Sequence, residues 1–134
     1  MAGYGGTPLA KKLGIRSGMR VWLRNAPNDF EGLLEGLPHD VSLSRRKRVD
    51  VDLVMCFETS ARKLETDVGL ARTVIPPHGV IWMAWPKKAS KVQTDITEDR
   101  LRDMFLPTGL VDVKVCAIDE TWSGLRFVIR KEFR

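Results

Sequence analysis

Residues 19–27 read MRVWLRNAP, and this stretch decides the fold. Met19–Leu23 is apolar and rich in strand-favouring residues, as the first strand of an open α/β sheet would be. In proteins that bind nucleotide phosphates, a glycine-rich turn follows this strand, because backbone without a Cβ can approach the phosphates closely. Here Arg24-Asn25-Ala26-Pro27 follows, and Pro27 lacks a backbone N–H donor. The sequence therefore predicts an open α/β scaffold of the nucleotide-binding type in which side chains replace the glycine-rich turn that would hold a phosphate.

Size and composition predict one soluble domain over residues 1–134, with a flexible glycine-rich start at residues 1–6. No apolar run approaches the roughly 20 residues of a membrane span. The first residues lack the apolar core of a secretion signal, so we expect a cytoplasmic protein without a membrane partner. The net charge of +5 is spread along the chain, which is compatible with binding anions but is also typical of a solvated basic surface.

Cys56 and Cys116 fall in apolar, strand-like runs, where buried free thiols fit a reducing compartment. Their spacing alone leaves a disulfide open. Together with His39 and His78 they show no ligand-pair spacing, so we expect no metal site.

The hydrophobic pattern alternates between strand and helix periods along the chain. This order favours a mostly parallel sheet with helices on both faces, a three-layer Rossmann-like α/β fold. The last two strands share the short turn Asp119–Gly124 and should be antiparallel, and Val111, Val113, Val115 and Ala117 should share one face. Strands are predicted at 19–23, 41–44, 49–57, 80–85, 111–117 and 125–130, and helices at 9–13, 30–37, 61–75 and 98–105.

One connection departs from this pattern. Only Arg45–Arg48 separates the strands at 41–44 and 49–57, whereas a parallel crossover usually takes a dozen residues or more. Either the connector runs extended across the end of the sheet, or Val41–Ser44 pairs antiparallel. The sequence leaves both open.

A parallel Rossmann-like sheet closed by a reversed last strand resembles the class I methyltransferase fold. The segments GTPLAKKLGI, WPKKAS, TDITED and KVCAIDETWSGLRFVIR also resemble a small bacterial family of uncharacterised proteins. That resemblance covers nearly the whole chain and implies the fold, with no activity to carry over.

A methyltransferase of this fold would place glycines after the first strand and an acidic residue after the second, the latter for the ribose hydroxyls. This chain has Asn25, Ala26 and Pro27 at the first position and Arg45 and Arg46 at the second. Both departures count against S-adenosylmethionine and dinucleotides, so we expect no cofactor. No catalytic residue can be assigned.

In open α/β sheets, ligands bind beyond the carboxyl ends of the strands. Lys87 and Lys88 could clamp an anion there, or belong to a solvated loop. Trp85 and Trp122 could form a stacking wall, or pack in the core. Asp119 and Glu120 could pair with the lysines, or be plain turn residues. The candidate ligand-binding residues are Trp85, Lys87, Lys88, Ser90, Asp119, Trp122 and Ser123.

These features favour a non-enzymatic domain that binds a small anion or a protein partner on a degenerate methyltransferase-like scaffold. One alternative is a divergent methyltransferase-like transferase that uses the same cleft. Another is weak nucleic-acid binding through Arg45–Arg48, a run that a solvated sheet edge would also explain.

Overall fold

The computed structural model describes residues 6–134, so most of the start expected to be flexible lies outside the described residues. Six strands form one mixed sheet in the order β2-β1-β3-β4-β6-β5. β1 to β4 run parallel to one another, and β6 is antiparallel to both β4 and β5. This confirms the predicted sheet with its reversed last strand. The strands are β1 Arg20–Arg24, β2 Ser42–Ser44, β3 Leu53–Phe57, β4 Val80–Pro86, β5 Leu110–Ala117 and β6 Trp122–Ile129.

Within residues 6–134, three α-helices accompany the sheet: α1 Leu9–Lys12, α2 Ala61–Arg72 and α3 Glu98–Phe105. The two longer helices begin at side-chain caps, because Ser60 accepts from the Lys63 N–H and Thr97 from the Arg100 N–H. Within the described part of the chain, no helix is long and apolar enough to cross a membrane. Short 3-10 segments lie at Phe30–Leu33, Lys88–Ser90, Leu106–Thr108 and Lys131–Phe133.

The helix predicted at 30–37 is wrong: only the 3-10 segment Phe30–Leu33 forms. Gly32 has low helix propensity, and Gly36 has a φ of +75°, outside the helical region. The apolar residues of this segment still pack in the core, since Phe30 and Leu34 are both buried.

The short connection is extended, because β2 pairs parallel to β1. Residues 45–52 cross back to the start of β3, and the Arg48 guanidinium fastens them by donating to the carbonyls of Val21 at 3.4 Å and Ser42 at 3.0 Å. The antiparallel alternative is therefore excluded. The strand predicted at 49–57 begins only at Leu53, since this crossing uses the preceding residues.

The core has two layers, one on each face of the sheet. α1 and the Phe30–Leu33 segment cover one face, here called the α1 face. α2 and α3 cover the other, the α2 face. β3 and β4 are buried along their whole length, as central parallel strands covered on both sides should be.

β5 contains a bulge that shifts its alternation. Asp112 pairs with Phe127 and Lys114 with Arg126, so Val113 is the extra residue. Asp112 therefore shares the α2 face with Phe127, whereas Lys114 lies on the α1 face with the buried Cys116. The predicted single face of valines is wrong, because the register changes face at Val113.

The hairpin between β5 and β6 is tighter than predicted. Asp119 Oδ1 accepts from the N–H groups of Thr121 at 2.8 Å and Trp122 at 2.7 Å, which closes the turn at Thr121. The expectation that Trp122 and Ser123 belong to the turn is therefore wrong: both are the first residues of β6.

Candidate functional site

A polar cluster lies where β1 and β3 end side by side at the carboxyl edge of the sheet. The chain order reverses between these strands, because β2 lies outside β1 and β4 outside β3. Arg24 Nε donates to Asp67 Oδ1 over 2.7 Å. The Asn25 side-chain amide donates to Glu58 at 2.9 Å and lies 3.5 Å from the other Asp67 oxygen. The chain's own side chains thus bridge the crevice in which such sheets bind ligands.

Asp67 anchors the cluster from α2. It is only 3% exposed, whereas 29% of the Arg24 side chain remains accessible. The Arg24 guanidinium also lies 5.4 Å from the centroid of the Trp22 ring, in cation–π range. The buried carboxylate is therefore paired on its crevice side, as a buried charge must be.

Glu58 is the second carboxyl of the cluster. Burial, a hydrogen bond with Asp67 and the negative charge of Asp67 raise the pKa of Glu58 to about 7, and Lys63 offsets part of the rise. The Glu58 carboxyl therefore takes up a proton near neutral pH. The pKa of the neighbouring Cys56 thiol is raised too, mainly by burial and also by Asp67, so this thiol is a poor nucleophile.

Asn25 has a φ of +58°, the left-handed conformation that glycine adopts most easily. The loop after β1 thus keeps a backbone turn of the glycine type while carrying a side chain. Arg45, just after β2, holds this loop by donating to the carbonyls of Ala26 at 2.7 Å and Pro27 at 2.6 Å. Arg45 also pairs with both carboxylate oxygens of Glu31.

These contacts show that two arginines of the basic run Arg45–Arg48 have a structural role. Arg45 is engaged by the loop after β1, and Arg48 by the carbonyls of β1 and β2. Arg46 and Lys47 are exposed. Two arginines of the run therefore bind backbone carbonyls of the chain itself, and the other two cations lie at the surface, so the run is not one continuous basic surface.

A cleft of about 340 Å³ opens at the carboxyl edge on the α1 face. It lies between α1, the Phe30–Leu33 segment and the Asp119–Thr121 turn. Leu9, Leu33 and Ile118 supply its apolar surface. Its charged and hydroxyl groups come from Thr7, Lys12, Asp29, Asp119, Glu120 and Thr121, so three carboxyl groups face one ammonium.

Of the seven candidate ligand-binding residues, only Asp119 lines this cleft, together with Glu120, its neighbour in the turn. The Lys87 N–H donates to the Thr121 carbonyl at 2.7 Å, which places the loop after β4 beside the turn. The ion pairs formed within residues 6–134 include neither Lys87 nor Lys88. The Ser90 hydroxyl donates to the Lys87 carbonyl, 2.6 Å away, and so serves its own turn.

The two tryptophans proposed as one stacking wall lie on opposite faces. Trp85 is 8% exposed and packs in the α2-face core, opposite Ser123 in the ladder. Trp122 packs on the α1 face, with its ring centroid 5.2 Å from that of Phe57. Ser123 faces Trp85 in the ladder, and Trp122, the neighbour of Ser123 in β6, points to the opposite side of the sheet. The two rings therefore cannot flank the same planar ligand.

Sequence reasoning missed most of both groups: Thr7, Lys12 and Asp29 in the cleft, and Arg24, Glu58 and Asp67 in the cluster. One signal was present for Asp67. It shares the helical stripe of Leu64, Val68 and Ala71, where an acidic residue must find a buried partner. Nothing in the sequence placed α1 beside the final hairpin.

The fold defines the class: this is a class I methyltransferase-type Rossmann-like scaffold. No family model and no curated protein sequence matches the chain. The chain resembles a SAM-dependent methyltransferase from Aquifex aeolicus at a TM-score of 0.62 and 12% identity, covering 90% of this chain and 87% of that one.

Two further structures show the same likeness. One is a DhpI–SAH complex, with a TM-score of 0.59, 10% identity and coverage of 92% and 84%. The other is a putative type 11 methyltransferase from Sulfolobus solfataricus, with a TM-score of 0.58, 10% identity and coverage of 92% and 90%. At these identities the likeness shows the fold alone.

Proposed function

We propose that this protein is a non-enzymatic domain that binds a small molecule in the cleft between α1, the Phe30–Leu33 segment and the Asp119–Thr121 turn. The observation that carries the proposal is the position of the cleft at the carboxyl edge of the sheet, where open α/β sheets bind ligands. Its volume falls within the range of small-molecule sites, and it combines apolar walls with a few polar groups.

The charge of the cleft indicates the kind of ligand. Asp29, Asp119 and Glu120 outnumber the single ammonium of Lys12. A ligand with an amine or another cationic group is therefore favoured over the small anion expected from sequence. Its apolar part would lie against Leu9. An anion clamp at Lys87 and Lys88, like a protein partner, stays a prediction.

A thermal-shift screen tests the proposal, with small amines as probes and carboxylates of matched size as comparison. We expect some amines to raise the Tm of the wild-type protein. The shift should be lost in Asp29→Asn combined with Glu120→Gln, since both exposed carboxyls line the cleft. It should persist in Lys87→Ala combined with Lys88→Ala. The reverse pattern would reject the cleft and favour the lysine loop.

The second candidate is a divergent methyltransferase-like transferase. The likeness to SAM-dependent methyltransferases supports it. Against it stand the contacts of Arg45 with the Ala26 and Pro27 carbonyls, which occupy the region between the ends of β1 and β2. Calorimetry with S-adenosylmethionine and S-adenosylhomocysteine separates the two candidates. Micromolar binding of either compound would overturn the first proposal, and we expect none.

A further inference from the structure

The β5–β6 hairpin carries an unusual arrangement of charge on the α1 face. Lys114 and Arg126 lie directly opposite each other in the antiparallel ladder. Like charges at such positions repel and destabilise the sheet, because their Cβ atoms lie only about 5 Å apart. In the unbound protein this pair is an electrostatic cost.

Two more cations surround the pair. Burial and the positive charge of Arg16 both lower the pKa of the half-buried Arg126. Lys12 and Lys114 both act on the buried Cys116 thiol, where they oppose the rise in pKa that burial causes. Lys12, Arg16, Lys114 and Arg126 therefore form one group, called here the hairpin basic surface.

Within residues 6–134, none of these four cations forms an ion pair, and only Lys12 shares the cleft with carboxyl groups. The ion pairs among residues 6–134 involve other side chains. The acidic neighbour of Lys114 in sequence, Asp112, lies on the opposite face and pairs with Arg102 at 2.9 Å. A cluster of cations that repel one another is stabilised when an anion binds to it.

We propose that the hairpin basic surface binds the phosphate backbone of nucleic acid. Phosphate contacts need only cations at the surface and supply sequence-independent affinity. An acidic protein partner would also need an apolar anchor to provide most of its binding energy, and the exposed Val115 beside Lys114 lies on the α2 face, away from Lys114. The net charge of +5 supports association with a polyanion. The proposal is independent of the acid-lined cleft, which it adjoins at Lys12.

Fluorescence anisotropy tests this proposal with a labelled single strand of about 20 nucleotides, titrated between about 50 and 200 mM salt. We expect binding by the wild-type protein that weakens as salt rises. Lys114→Gln combined with Arg126→Gln should reduce the affinity about tenfold and make the salt slope shallower by about 1.4, the value for two lost phosphate contacts on a single strand.

Arg46→Gln combined with Lys47→Gln is the matched control, since it removes two exposed cations from another place and leaves the net charge equal. It should keep most of the affinity. Arg16→Gln combined with Lys114→Gln repeats the test at exposed positions where folding is not at risk. Equal losses in all three variants, absence of binding, or equally tight binding of poly-glutamate would overturn the proposal.

Discussion

Arg24 and Asp67 form an ion pair of 2.7 Å that joins the end of β1 to the middle of α2, across the crevice of the sheet. One partner is buried and the other partly exposed. The pair occupies the place where a glycine-rich turn would leave room for a ligand. Its first role is therefore structural, and stability measurements test it.

Replacing Asp67 should destabilise the protein, since Asp67→Ala leaves Arg24 and Asn25 without their buried acceptor. We expect a loss of about 2 kcal/mol in the free energy of unfolding, measured by denaturant titration. Asp99→Ala is the comparison, because the Asp99 side chain is 93% exposed in its ion pair with Arg102, and its effect should stay within about 0.5 kcal/mol. Equal effects would contradict a structural role for the buried pair.

The raised pKa of Glu58 predicts a pH dependence of stability. Its ordinary value is 4.5 and its folded value about 7, so between these values the folded state holds more protons than the unfolded state. Stability from Glu58 is then fully present below pH 4.5 and is lost as the pH rises through 7.

Melting curves across this window check the prediction. Glu58→Gln should flatten the fall in Tm with rising pH, whereas Glu65→Gln, at an exposed position of α2, should follow the wild-type curve. If Glu58→Gln keeps the wild-type slope, the pKa of Glu58 is not raised.

Two buried tryptophans differ in their hydrogen bonding. Trp82 Nε1 donates to the Leu13 carbonyl at 2.9 Å and ties α1 to the sheet. Trp22 Nε1 is buried without an acceptor among the described residues. Both lose the same ring volume on mutation to Phe, so Trp82→Phe should cost about 1–2 kcal/mol more than Trp22→Phe, because only the former orphans a carbonyl. Denaturant titration of both variants measures the difference, and equal costs would refute it.

Alanine substitutions at two glycines should change the stability of the protein in opposite directions. A Cβ at Gly124 would lie 3.1 Å from both Ile118 and the Trp82 ring, so Gly124→Ala should cost about 1–3 kcal/mol. Gly69 is exposed on α2 with open space around it, and Gly69→Ala should stabilise by about 0.5–1 kcal/mol. Thermal melts of the two variants should shift in opposite directions; a neutral Gly124→Ala would show that the hairpin is not packed so closely on Trp82.

Much of the fold could be predicted because its signals are local. The apolar runs of β3 and β4, and the helical patterns of α2 and α3, depend on residues near in sequence. The direction of β2 could not be predicted, since it depends on how Arg48 fastens an extended crossing. The contact of Arg48 with the Val21 carbonyl joins segments that are distant in the chain.

The candidate site was harder to predict for the same reason. Asp119 was found because a turn at a strand end is visible in sequence. Its neighbours in the cleft come from α1 and from the segment after β1, and only tertiary packing brings them together. Trp85 and Trp122 do not form the predicted stacking wall. The hairpin turn is shorter than the sequence indicates, so Trp122 belongs to β6 and its ring lies on the α1 face.

The single extra residue in β5 has a consequence for how insertions and deletions would act on this protein. Asp112 and Lys114 are two positions apart and would share a face in a regular strand, yet Val113 separates them onto opposite faces. Deleting Val113 would straighten the strand and keep the two charges on opposite faces, whereas one residue inserted in β6 as a partner for Val113 would bring both charges to the same face. The charge asymmetry of the hairpin is thus set by which residues are paired, and Val113, which is unpaired, can be lost without changing it.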